Sequence, residues 1–246
     1  MASSAQLKRQ LKRVYFIRHG QSVANWRKCD TLDERDAKLT GLGRRQAACW
    51  HAPGALEAVF GNGRAPGVCI CSPLRRAMET AALVFENEPR VPIECTRLAR
   101  ERWWTHYQCV GSEYDETVGF ASGLGRRVGG LDDLARLDKF WDPSAEIEEI
   151  ARVERENDSA AAAEQKSKYE PSAREEDANY LSELTTFLIG HAAKTLAVAC
   201  HWGVINELTG ASPNNCDIVV ADLNPGDRSY SIVEQLEPPG DIERSI

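Results

Sequence analysis

Arg18-His19-Gly20 follows directly on the apolar run Val14-Tyr15-Phe16-Ile17. The pattern reads as a buried strand that delivers a guanidinium and an imidazole at its carboxyl end, where open α/β sheets keep their chemistry. A histidine there can serve as nucleophile, general base or metal ligand, and its arginine neighbour favours an anionic substrate over a metal ion. Phosphate transfer is therefore the first chemistry to consider. Three more clusters stand at the end of an expected strand or the start of the next helix: Ser72-Pro73-Leu74-Arg75-Arg76-Ala77, Leu98-Ala99-Arg100-Glu101 and Cys200-His201-Trp202-Gly203. A metal site from His19, Cys200 and His201 is open on residue type, but adjacent strand residues point to opposite faces and the arginines repel a cation.

The elements that must position these groups show as apolar, β-branched runs at 14–17, 68–71, 91–95, 195–200, 218–223 and 229–233, several of them separated by helical patterns. This alternation predicts an α/β fold of three layers, with a mostly parallel central sheet flanked by helices and a helical or loop insertion. Gly41 to Val59 reads as a helix carrying Ala47, Ala48, Trp50 and Leu56 on one face, kinked or split at Pro53-Gly54. Ser72-Pro73 starts another, whose apolar face is Leu74, Ala77, Met78, Ala81, Ala82 and Phe85, and which ends before Pro89 and Pro92. From Glu101 to about Ala192 no strong strand signal occurs and Gly119 to Gly130 is glycine-rich, which places an insertion or cap at about 102–178. Asn179 to His191 then reads as a core-facing helix feeding the strand at 195–200. The expected organisation is a basic tail over 1–13, a single domain over 14–240 and a short tail over 241–246.

Hydrophobic content of 42% and charged content of 27% are ordinary for a soluble globular chain of 246 residues. No apolar stretch approaches the roughly 20 residues needed to span a bilayer, so no membrane partner is expected. A net charge of -7 argues against general nucleic-acid binding. Between Glu146 and Asp177, eleven acids face five bases, which makes this the acidic part of an otherwise nearly neutral chain and suits a solvated helical face. The eight cysteines include no CxxC pair and several lie in apolar runs, which predicts a reducing, cytoplasmic setting.

Read together, the clusters resemble the histidine phosphatase superfamily, also called phosphoglycerate-mutase-like. Arg18-His19-Gly20-Gln21-Ser22 is similar to its nucleophile motif, and Asn25 stands at the spacing of a phosphate-contacting asparagine. Leu39-Thr40-Gly41-Leu42-Gly43, followed by Gln46-Ala47, is similar to its helix entry. Ser72 to Thr80 fits SxLxRAxxT, which puts the second phosphate arginine at Arg76 and makes Arg75 its neighbour. His201-Trp202-Gly203 resembles the second histidine motif. At the proton donor the chain departs from the family's Leu-x-Glu, since two residues separate Leu98 from Glu101 and Arg-Trp-Trp follows. Glu101 is the first choice there, with Glu113 and Glu116 behind it, His106 as a possible assistant and Trp103-Trp104 as candidates for the substrate mouth.

The resemblance implies a phosphomonoester hydrolase with no metal and no cofactor, acting on a small phosphorylated substrate. Arg18, Arg76 and Asn25 would hold the phosphate, His19 would take the phosphoryl group, Glu101 would serve as acid and base, and His201 would steady the phosphoryl oxygens. The two arginines would lower the pKa of His19 and keep its attacking nitrogen unprotonated. Gly20 is expected to let the turn close beside the anion. Two other readings stay open. One is a 2,3-bisphosphoglycerate-dependent phosphoglycerate mutase, disfavoured because few cations follow Glu101; the other is a non-catalytic phospholigand-binding or scaffold protein, disfavoured because both His19 and Glu101 are present.

Overall fold

A computed structural model describes residues 11–28, 35–61, 65–101, 107–136 and 178–240. The tail before residue 11, Cys29, Trp103, Trp104, His106, the acidic stretch 146–177 and the tail 241–246 lie outside the described residues.

All six apolar runs become strands: β1 at Lys12–Arg18, β2 at Val68–Cys71, β3 at Ile93–Cys95, β5 at Thr195–Cys200, β6 at Ile218–Leu223 and β7 at Tyr230–Leu236. A further strand, β4 at Val128–Gly129, lies in the glycine-rich stretch where none was expected. It owes its form to docking beside β3: at Gly130, with φ of 76°, a Cβ would stand 2.3 Å from the Cys95 carbonyl oxygen. Side-chain propensity therefore carries no trace of it.

The strands form one sheet in the order β4-β3-β2-β5-β1-β6-β7. The pairings from β4 through β1 are parallel, whereas β6 runs antiparallel to β1 and β7 antiparallel to β6. β1 and β5 are direct neighbours in the middle of the sheet, with Arg18 in register with Cys200. Their carboxyl ends therefore meet, and the two histidine motifs arrive at one place.

Alternation along the strands divides the core in two. Tyr15, Ile17, Cys69, Cys71, Ala197 and Ala199 face one side, where they pack with Trp50, Phe60, Met78, Ala81 and Phe85. Val14, Phe16, Val68, Ile70, Leu196 and Val198 face the other, against Leu181, Leu184, Leu188, Val204 and Ile205. The first layer comes from α2 (Gly41–Ala48), a 3-10 turn at Cys49–His51, α3 (Ala55–Phe60) and α4 (Arg75–Val84). The second comes from α6, over 178–190, and α7 at Trp202–Thr209. The split expected near Pro53-Gly54 is present, with Gly54 at φ of 80° opening α3. Within the stretch expected as an insertion, α5 at Tyr114–Ser122 and the turn at Leu131–Arg136 send Ala121 and Leu134 into the first core.

One close approach locks the end of β1 onto the helical layer. A Cβ on Gly20 would stand 2.5 Å from the Gly43 carbonyl oxygen, and one on Gly43 would stand 2.2 Å from that of Gln21. Both obstacles are backbone, so neither glycine can take a side chain without moving the loop after β1 away from α2. Gly20 is thus held small by the crowding of α2. Gly43→Ala is expected to destabilise the fold by about 1–3 kcal/mol, the usual cost of overpacking. An unchanged urea midpoint would contradict this packing.

Candidate active site

His19 leaves the end of β1 and is almost wholly buried, at 3% exposure. Its backbone is held on three sides: its N–H donates to the Cys200 carbonyl at 3.0 Å, its carbonyl accepts from Asn215 Nδ2 at 2.8 Å, and the next N–H, of Gly20, donates to Thr80 Oγ1 at 3.0 Å. The ring is equally constrained. Nδ1 stands 2.7 Å from the Gly20 carbonyl oxygen, while Arg76 Nε donates to Nε2 at 3.2 Å. A guanidinium only donates and a carbonyl only accepts, so the proton sits on Nδ1 and Nε2 keeps its lone pair. Burial, then the charges of Arg76 and Arg18, push the pKa of His19 well below its ordinary value of 6.5. The sequence pointed to the cations, but desolvation is the larger cause.

Arg76 lies in the first turn of α4 with 1% exposure. Besides meeting His19, its Nη1 donates to the Gln108 carbonyl at 2.5 Å. Thr80, one turn on, donates to the Arg76 carbonyl at 2.7 Å while accepting from Gly20. That double role explains the threonine of SxLxRAxxT. Arg18 is tied to the segment before β6: its N–H donates to the Asp217 carbonyl at 3.1 Å and its Nη1 to the Pro213 carbonyl at 2.8 Å. Its Nε is buried and has no hydrogen-bond partner among the described residues. Burial lowers the pKa of Arg18, against the raising effect of Glu101 and Asp217. Glu101 is itself buried, so its carboxylate shares the interior with this guanidinium.

His201 caps α7 and is fully buried, with its ring centroid 5.1 Å from that of His19. Its Nε2 lies 2.7 Å from Ser72 Oγ, which also accepts the Leu74 N–H at 3.2 Å. The hydroxyl can donate to Nε2 or accept from it, and in the tautomer where it donates the histidine proton sits on Nδ1. That atom is buried and has no partner among the described residues. Burial first, then Arg76, His19, Arg18 and Arg100, push the pKa of His201 well below 6.5. Unspent donors on His201 and Arg18, in a pocket carrying the charge of Arg76, are what an anion with several oxygens needs.

Asn25 is placed by a helix cap. In α1 (Val23–Arg27) its N–H donates to Ser22 Oγ at 3.2 Å and its Oδ1 accepts from the Ser22 N–H at 3.1 Å, which turns the amide so that Nδ2 remains as its donating end. The alternative acids are not part of this buried cluster: Glu113 is exposed at the start of α5, and exposed Glu116 pairs with Arg75 at 3.0 Å. Arg100 stands in the sequence cluster with Glu101 but had no expected role of its own. It is buried with Nη1 donating to the Glu101 carbonyl at 3.1 Å and its guanidinium 4.3 Å from the ring centre of Tyr180. Asn215 was not expected near the site, because nothing local marks a turn residue that reaches across to β1.

Residues 14–119 match the model of the histidine phosphatase superfamily, branch 1. A probable phosphatase of Schizosaccharomyces pombe is 32% identical over 134 residues, which are 53% of this chain and 59% of that protein. The chain thus spans 59% of the length of this curated relative. Among solved structures, a candidate alpha-ribazole-5'-P phosphatase of Escherichia coli K-12 superposes with a TM-score of 0.55 at 17% identity, over 94% of this chain and 99% of that one. A phosphoglycerate mutase of Bacillus anthracis gives 0.51 at 16% identity, over 96% and 95%. At such identities the superpositions speak to the fold alone. The matched segment runs from β1 through α4 into α5, and over it the chain is similar to the histidine phosphatase superfamily.

Proposed function

We propose that the protein is a metal-independent phosphomonoester hydrolase that forms a phosphohistidine on Nε2 of His19. The observation that carries this reading is the state of that ring: Nδ1 is bound to the Gly20 carbonyl and Nε2 is unprotonated against Arg76. A phosphomonoester dianion draws the guanidinium groups of Arg76 and Arg18 onto its oxygens, releasing the lone pair on Nε2 for in-line attack. His201, through Nδ1–H, and Asn25, through Nδ2, add donors to the oxygens. As the N–P bond forms, the P–O ester bond breaks and its electron pair leaves on the oxygen, which Glu101 protonates. Water then attacks phosphorus, Glu101 takes back a proton, and the N–P electron pair returns to Nε2.

The substrate on this reading is a small phosphorylated molecule. The similarity to a probable phosphatase of fission yeast supports hydrolysis. No described helix is long and apolar enough to cross a membrane, and all seven described cysteines are free thiols, which supports a cytoplasmic setting.

His19→Ala is expected to lower turnover of p-nitrophenyl phosphate by about a thousandfold or more while the protein stays folded; retained hydrolysis would rule out His19 as the nucleophile, whereas an unaltered protein that binds phosphate but hydrolyses no ester would be a binding protein. Glu101→Gln should slow esters with poor leaving groups far more than activated aryl phosphates, and equal slowing would assign Glu101 a structural role. Incubation with 3-phosphoglycerate, with and without 2,3-bisphosphoglycerate, should release phosphate; isomer formation instead would make the protein a mutase.

The buried neutral histidines also set a pH dependence. Both have folded pKa values depressed below 6.5, so as pH falls through 6.5 the unfolded chain takes up protons that the native protein does not. Stability should therefore fall with pH below about 6.5, by up to about 1.4 kcal/mol per pH unit for each histidine. His201→Ala should show a shallower acid loss in urea titrations, and an unchanged slope would contradict the depressed value.

A further inference from the structure

We propose that Asp36 is a positioning residue for the phosphate clamp, holding Arg76 from both ends; the proposal rests on the hydrolase reading above. Asp36 is 1% exposed and takes a left-handed backbone conformation, with φ of 45°. Few residues other than glycine accept that conformation, and aspartate is among them.

Its two oxygens serve different segments. Oδ1 accepts the backbone N–H of Arg75 at 2.8 Å. Oδ2 accepts the N–H of Ser112 at 3.2 Å and lies 3.3 Å from Arg75 Nε. Leu74, at the cap of α4, offers no side-chain acceptor, so a carboxylate 39 residues from Arg75 in the chain takes the first N–H of that helix. It also sets negative charge against the positive end of the helix dipole. Arg76 is the next residue of that turn. This fixes the backbone from which its side chain sets out.

The far end of Arg76 depends on Asp36 as well. Nη1 rests on the Gln108 carbonyl, and the segment that carries it is fastened by the Ser112 N–H on Asp36 and by Arg35 Nε on the Gly111 carbonyl at 2.9 Å. Arg75 extends the connection by pairing with Glu116 and lying 5.6 Å from the ring centre of Phe120, both on α5. The Asp36 loop also reaches the nucleophile's own chain, since the Lys38 carbonyl accepts from Val23 and the Thr40 N–H donates to Gln21 at 2.9 Å. Burial raises the pKa of Asp36, opposed by these N–H groups and by the charges of Arg75 and Arg76. Arg76 therefore lies within the field of this carboxylate. What Asp36 controls is the meeting of Arg76 Nε with His19 Nε2, and misplacement of a catalytic group by about 1 Å costs on the order of a hundredfold in rate.

Asp36→Asn keeps the volume and one acceptor while putting an amide NH2 where the second acceptor was. In the full chain we expect kcat/KM for p-nitrophenyl phosphate to fall about ten- to a hundredfold. Orthovanadate, titrated by calorimetry, should bind more weakly by a similar factor, with an unchanged circular dichroism spectrum. In an Arg76→Lys background the same substitution should add little further loss of vanadate affinity. An equal loss in both backgrounds, or native kinetics with only a lower melting temperature, overturns the proposal. If Asp36→Asn does not fold, Arg35→Met loosens the same 107–112 segment. It should weaken vanadate binding severalfold, and unchanged affinity overturns the proposal. A His19→Ala protein that still turns over would strike at the hydrolase reading itself, so the two failures are distinguishable.

Discussion

An arginine N–H pointed at an unprotonated imidazole nitrogen, with both side chains almost wholly buried, is the constraint around which the rest of this structure is arranged. The Arg76 to His19 contact of 3.2 Å places a cation against a neutral base, and burial with a second arginine keeps that base neutral. In water the same pair would separate and the imidazole would titrate near neutrality. Here the sheet supplies His19 and a helix supplies Arg76, and each is anchored at its other end, His19 Nδ1 on the Gly20 carbonyl and Arg76 Nη1 on the Gln108 carbonyl. Such a contact suits a resting state that an anion resolves, because phosphate oxygens compete for the guanidinium more strongly than a neutral nitrogen does.

Holding that contact requires fixed backbone on both sides. On the His19 side, Asn215, Thr80 and the Cys200 carbonyl fasten three successive polar groups around His19 and Gly20. On the clamp side, Ser72 begins the turn into α4, Thr80 ties down the Arg76 carbonyl, and Gln108 receives the guanidinium. Thr80 serves both sides. The mutual crowding of Gly20 and Gly43 then presses the loop against α2. The site is rigid through backbone contacts, and the reactive side chains are few.

The second histidine obeys the same logic with a different outcome. His201 is as buried as His19, but its Nε2 is taken by Ser72 and its Nδ1 is not taken by any described residue. The His19 ring thereby keeps a lone pair on Nε2, while the His201 ring meets a hydroxyl at Nε2. Their chemical identity is the same, so the difference comes wholly from which neighbour each ring meets.

Much of this was legible in the chain alone. Apolar runs ending in Arg18-His19 and Cys200-His201 are short-range patterns, and so are the helix face from Leu74 to Phe85 and the break at Pro53-Gly54; local sterics and hydrophobic periodicity suffice to read them. These patterns determined the α/β class, six of the seven strands, and a set of residue types suited to a phosphate. The tertiary structure decided the remainder. It made β1 and β5 neighbours, formed β4 by docking, excluded Glu113 and Glu116 from the buried cluster, and brought Asn215 and Asp36 to positions no local pattern marks. It also made desolvation the first cause of the depressed histidine pKa values. Burial and contacts between distant segments are properties of the packed chain, so a linear string of residue types carries the means for this chemistry but not the environment that sets it.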